Sequence, residues 1–268
     1  MNPDLSQWLD AIVRWVHVFA GIMWVGTTYF FTWLDGRFTE MEKSANEKGE
    51  PVWMVHSGGF YRVDKQKTPQ PLPNNLHWFR WEAALTWTSG MTLFIVVYYM
   101  GGLMINGEES RLSNGTAIGL SVGLLIVGWL IYDLFLGKLF KNEIAGATAS
   151  FIVIAVLNWF LTHHFSGRAA FMQLGAMFGT VMVANVWMRI LPAQRRMVAA
   201  LKEGKSPDAA EAKRAKNASK QNTFMAVPTV FIMISNHFPI AYGHRYDWIV
   251  LSSVVLVGWF AAKLIRGA

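Results

Sequence analysis

Seven histidines have the widest chemical reach among the side chains of this 268-residue sequence, and four of them sit in or at the ends of apolar runs. His17 lies within one such run, His163 and His164 close another, and His237 closes a third. An imidazole can exchange a proton near neutral pH or ligate a metal through a ring nitrogen. There is no Cys, which excludes disulfides, thiolate metal sites, iron–sulfur ligation and a Cys-x-x-Cys-His attachment for c-type haem. A redox centre held by this chain must therefore rest on His or Met. Neutral imidazoles facing one another would suit a b-type haem, with His17, His164 and His237 as candidate ligands of its iron. Met23 and Met233 are weaker alternatives.

A second set of groups suits different chemistry. His56 and Tyr61-Arg62 stand near the run His77-Trp78-Phe79-Arg80-Trp81-Glu82. Aromatic planes beside Arg and His fit a flat, anionic, hydrogen-bonding heterocycle, which would stack on Trp81 and receive charge-assisted bonds from Arg62, Arg80 and Tyr61. His56 or His77 would serve as general base. Glu82 and Asp133 fall within apolar runs, where a carboxylate needs a partner; Arg80, Arg189 and a proton shared between the two acids are the choices. The plainer reading of these acids is a structural ion pair between helices, and for most of the Trp residues it is an interfacial aromatic belt.

The elements that must position these groups are membrane helices. Hydrophobic residues make up 53% of the chain, with 13 Trp and 18 Phe. A bilayer core takes about 20 apolar residues per helix, and seven segments qualify: Trp8–Leu34, Phe79–Met100, Thr116–Leu136, Ala145–Leu161, Ala169–Leu191, Thr223–Phe238 and Trp248–Ile265. Of the 24 Lys and Arg, all but Arg14, Arg111, Arg168 and Arg245 fall in alternate loops on one side, which the positive-inside bias assigns to the cytoplasm. The expected architecture is an all-α polytopic protein of about seven spans, one transmembrane domain over 1–268, N-terminus outside and C-terminus inside. The net charge of +7 then reads as a topology signal, with lipid as the partner and no call for nucleic acid. His17, about ten residues into the first span, would lie ~14 Å below the outer surface at 1.5 Å per residue.

Two cytoplasmic loops carry structure of their own. In the first, 35–78, apolar residues flank Ser57-Gly58-Gly59 and predict a short β-hairpin over 52–63, followed by a stretch with Pro69, Pro71 and Pro73. The second, 192–221, is rich in Ala, Lys, Arg and Glu and predicts an amphipathic helix along the anionic inner leaflet.

Three motifs together carry a family resemblance: His17-x3-Gly21-x2-Trp24-x-Gly26; His56-Ser57-Gly58-Gly59-Phe60-Tyr61-Arg62-Val63; and Leu76-His77-Trp78-Phe79-Arg80-Trp81-Glu82-Ala83 with Thr86-Trp87 and Gly90. Over nearly its whole length the chain resembles the membrane domain of the membrane-bound, cytochrome-c-linked urate hydroxylases, also called the urate oxidase N-terminal domain family. The first motif is shared with other haem-binding membrane proteins; the other two are far more specific. The resemblance implies oxidation of urate to 5-hydroxyisourate in purine breakdown at the bacterial inner membrane, with electrons passed to cytochrome c. Typical members continue through a further span into a c-type cytochrome domain. This chain stops at Ala268 without Cys, so the acceptor is expected on a separate protein or on a missing segment. The competing reading is a haem- or copper-binding membrane protein, a carrier or electron-transfer subunit without urate chemistry, for which the first loop would have no use.

Overall fold

In the computed structural model, residues 3–43, 50–66, 68–106, 112–136 and 142–267 are described. Lys48, Lys67, Arg111, Lys138 and Lys141, which contribute to the charge count above, lie outside them.

Long apolar stretches without breakers become helices, which satisfy their backbone polar groups within the segment. Helix α1 runs from Pro3 to Lys43. Next come strands β1 (Val52–His56) and β2 (Gly59–Val63), then α2 (Trp81–Phe94), α3 (Asn114–Ile131), α4 (Glu143–His164) and α5 (Gly167–Ala184). Completing the chain are α6 (Leu191–Lys202), α7 (Ala209–Ser235), α8 (Pro239–Tyr242) and α9 (Asp247–Gly267). Several starts are capped by side chains: Asn142 accepts from the amides of Ile144 and Ala145, Ser166 from Ala169 and Asp208 from Ala210.

Three helices pass without a break into wider π-helical turns: Ile95–Met100 after α2, Tyr132–Leu136 after α3, and Asn185–Ile190 between α5 and α6. Helix α5 is the centre of the bundle, burying Phe171, Gln173, Leu174, Phe178 and Val181 against neighbours on every side. Small residues permit the closest approaches. A Cβ at Gly258 of α9 would lie 2.6 Å from Cδ of Pro228 inside α7, so α9 can pack there only as glycine.

Among the described residues, six helices are long and apolar enough to cross a membrane, spanning Asp4–Lys43, Trp81–Met100, Asn114–Leu134, Glu143–His164, Gly167–Lys202 and Asp247–Gly267. The expected segment Thr223–Phe238 falls on α7, whose apolar part from Thr223 to Ser235 covers about 20 Å at 1.5 Å per residue. It is nevertheless interior, with Met225, Ala226, Pro228 and Ile232 buried.

Both loops differ in detail from expectation. Helix α1 continues to Lys43 instead of ending near Leu34, because nothing after Leu34 breaks it and Arg37 pairs with Glu40 one turn on (3.2 Å). The β-hairpin forms where expected, with Val52 opposite Val63 and His56 opposite Gly59. Its two-residue turn, Ser57 and Gly58 at φ 50° and 76°, is left-handed at both positions, the geometry that matches strand twist. The segment 192–221 is not one amphipathic helix: α6 and α7 form an antiparallel helical hairpin broken at Gly204 (φ 68°) and Pro207. Both arms continue bundle helices, and a bidentate Arg196–Glu211 pair (2.9 and 2.7 Å) ties them together. That guanidinium holds the Glu211 carboxyl below the usual glutamate range.

Candidate functional site

His17 is held by α2. Its Nδ1 lies 2.9 Å from the carbonyl oxygen of Thr86 and 3.2 Å from Oγ of Ser89, whose own hydroxyl donates to Leu85 O. A carbonyl only accepts, so Nδ1 carries the proton and Nε2 keeps its lone pair. Gly90 makes room for the ring; a Cβ there would lie 2.7 Å from Cε1 of His17. At Gly21 a Cβ would meet only Thr86 Cγ2, at an ordinary contact distance of 3.9 Å, and at Gly26 it would meet nothing. The steric demand for glycine at this contact therefore falls on Gly90.

The other outer histidines share this tautomer. His163 Nδ1 donates to Trp159 O (2.6 Å) and His164 Nδ1 to Phe160 O (2.9 Å), with the His164 ring stacked on Phe160 at 4.2 Å. His237 is exposed in the turn after α7. No hydrogen bond or ring contact joins His17, His164 and His237 to one another. Among the described residues no three His, Asp or Glu stand close enough to hold a metal ion.

The groups expected to bind a flat heterocycle separate into two sets. On the hairpin, strand alternation sends Tyr61 and Arg62 to opposite faces. Val52, Met54 and Val63 pack on Leu34, Phe38 and Met41 of α1, and Tyr61 shares their face, whereas Arg62 shares the outer face with Trp53 and pairs with Asp64 at 3.3 Å. His56 is exposed, its Nδ1 2.9 Å from Ser57 Oγ. At the mouth of α2, His77 packs edge-on against Phe79 (4.5 Å), which packs on Phe31 of α1 (5.0 Å). Arg80 lies over the Trp81 ring (5.5 Å), and Trp81 meets Trp187 edge-on at 6.0 Å. Glu82 is half-buried in the first turn of α2 and makes no ion pair with Arg80. No hydrogen bond, ion pair or ring contact joins His56, Tyr61 or Arg62 to His77, Arg80 or Glu82.

A polar layer not singled out from the sequence crosses the bundle near these groups. Arg189 donates to Asp133 (2.5 Å), to Tyr132 Oη (3.4 Å) and to Asn185 Oδ1 (3.2 Å). Tyr132 donates to Gln221 and accepts from Asn185 (2.7 Å), which also donates to Asn222 (2.9 Å). Only the Asp133–Arg189 pair was foreseeable as a charge balance. The π turns at 132–136 and 185–190 bring in Tyr132 and Asn185, helix α7 brings Gln221 and Asn222, and no local sequence pattern marks the π turns. Asp35 is a second junction, one carboxylate oxygen on Lys65 just after β2 and the other on Lys216 of α7 (3.1 Å). The two sets thus offer cations and aromatic planes for an anionic ring and imidazoles for proton transfer, beside a hydrogen-bonded polar layer.

Residues 3–266 match the family model described as urate oxidase N-terminal. No curated protein and no solved structure matches the chain.

Proposed function

The chain belongs to the urate oxidase N-terminal family, and on that premise we propose that it oxidises urate to 5-hydroxyisourate in the bacterial inner membrane and passes the electrons to a cytochrome c. The family match over residues 3–266 carries this reading. The reaction adds water and removes two electrons and two protons: urate and water give 5-hydroxyisourate, and two cytochrome haems are each reduced once.

The α2 mouth supports the binding step. The urate anion stacks on Trp81, and Arg80, whose guanidinium already lies over that ring, donates charge-assisted hydrogen bonds to its oxygens. His77 takes the proton from the water that adds at C5, and Glu82, free of an ion pair, passes it to solvent. His56, Tyr61 and Arg62 stand apart from this set on the hairpin, Tyr61 and Arg62 on opposite faces, and form the alternative set, with His56 as its base. A haem b, when bound, would accept the electrons singly. His17 is its first candidate ligand because the bond to Thr86 O leaves Nε2 free, with His164 or His237 as the second. In this topology the N-terminus lies outside and α7 supplies the seventh crossing.

The test is anaerobic mixing of purified protein, urate and oxidised cytochrome c. Urate-dependent reduction of the cytochrome haem is expected, with His77→Ala and Arg80→Ala each lowering its rate at least about tenfold. Its absence removes the enzyme assignment.

The second reading, a haem- or copper-handling membrane protein, draws on the same free Nε2 of His17. It predicts ligand binding that is lost in His17→Ala and indifferent to Arg80→Ala.

A further inference from the structure

Among the described residues nothing packs over the outer face of the β-hairpin. Trp53, Val55 and Phe60 project from it with 63%, 69% and 81% of their surfaces exposed. Three large apolar side chains side by side in water form a patch that needs a partner, and the mounting of the hairpin on α1 indicates which one.

The hairpin packs on Leu34, Phe38 and Met41. At 100° per residue, Leu34 and Met41 share a stripe of α1 with Phe30, Met23 and Val16, which follow at helical spacing toward the N-terminus. All three of those residues are exposed large hydrophobics. The bundle is met by the neighbouring face, about 60–100° around the axis from Leu34, through His17 on Thr86, Phe31 on Phe79 and Asp35 on Lys216. The hairpin therefore stands above an exposed apolar stripe that borders the bundle contact. Its height agrees: Phe38 and Met41 lie about 6 and 10 Å beyond Leu34 along the axis, which is headgroup depth for a bilayer with a ~30 Å core and ~40–45 Å total thickness. Trp and Phe are the residue types that settle at that depth.

We propose that the β-hairpin is an interfacial membrane anchor, with Trp53, Val55 and Phe60 seated in the headgroup and upper acyl region of the leaflet into which α1 emerges. The ion pairs from Asp35 to Lys65 and Lys216 fix its azimuth, so the same contact that orients the hairpin over lipid also ties it to α7. Lipid composition would then act directly on the loop that carries His56, Tyr61 and Arg62. This rests on the reading that α1 crosses a membrane, and the experiment examines that reading separately.

The chain has no Cys, so a single spin label can be placed without background substitutions. Labels at Phe60→Cys, Trp53→Cys, Met23→Cys and Lys205→Cys in lipid nanodiscs are compared for collision with oxygen, which partitions into lipid, and with a water-soluble nickel chelate. The expected result is lipid-like accessibility at 23, an oxygen-to-nickel ratio several-fold higher at 60 and 53 than at 205, and aqueous behaviour at 205. Aqueous behaviour at 53 and 60 with a lipid-like 23 overturns the anchor alone. Shielding of 53 and 60 from both colliders shows a protein partner or second copy there and also overturns it. An aqueous signal at 23 removes the membrane reading of α1 and the anchor with it.

Discussion

Position 90 is glycine because the imidazole of His17 occupies the volume a side chain would need: a Cβ there would lie 2.7 Å from Cε1 and 3.1 Å from Nδ1 of that ring. The pair links α1, otherwise poorly buried along its outer half, to α2.

Gly90→Ala should push His17 off Thr86 O and lower stability by about 1–3 kcal/mol, the usual range for overpacking. Because the two residues compete for one space, a His17→Ala background should absorb most of that loss. A double-mutant cycle on thermal unfolding in detergent checks this; strict additivity would mean that His17 and Gly90 do not touch.

Arg189→Ala should be among the most damaging single changes in the bundle. It strands Asp133 and removes a donor from both Tyr132 and Asn185. Loss of one partner from a buried pair costs about 3–5 kcal/mol. Asp133 is 31% exposed, so about 2–3 kcal/mol is expected after solvent screening. Arg189→Gln with Asp133→Asn should recover part of this, measured by the same unfolding transition.

Asp35→Asn should separate local from global stability. Exposed ion pairs contribute roughly 0–1 kcal/mol each, so the unfolding midpoint should move little. The hairpin loses its link to α7, however, and tryptic cleavage after Lys65 should accelerate several-fold, with Asp35→Glu restoring resistance. A digestion rate unchanged in Asp35→Asn would show that the apolar contacts to Leu34 and Phe38 suffice.

Acid should open the α6–α7 hairpin at its tip. Glu211 is held below its ordinary value by Arg196, so its contribution is complete above the unfolded glutamate pKa of about 4.3 and is lost as pH falls through the lower folded value. Hydrogen exchange of the Leu201–Asp208 amides should therefore rise, relative to its intrinsic rate, only below that range. In Glu211→Gln the same rise should be absent.

The sequence was most legible where one signal acted alone. Apolar length marked the helices, and Ser57-Gly58-Gly59 between apolar residues marked a short hairpin, which forms with Ser57 and Gly58 as its turn. Charge balance pointed to Asp133 with Arg189, which do pair. The remainder depended on azimuth. His17 lies against α2 because Gly90, seventy-three residues away, leaves room for its ring, and Tyr61 and Arg62 fall on opposite faces through the two-residue period of a strand. The helical hairpin at 191–222 was missed because its amphipathic composition is the same whether a helix lies on a membrane or pairs with its neighbour; Gly204 and Pro207 were the available signals.

The π turns at 95–100, 132–136 and 185–190 bear on how this chain can change length over evolution. A π turn closes on i→i+5 and accommodates one residue more than an α turn. A single deletion there can revert it to an α turn while the helix on either side keeps its face. The same deletion elsewhere in a helix would rotate everything downstream by about 100° and carry the core side chains out of the core. Single-residue gaps among the relatives of this chain should therefore fall inside its apolar helices at these three places, and a gap at 185–190 would mark relatives that had dismantled the Arg189 layer while keeping the fold.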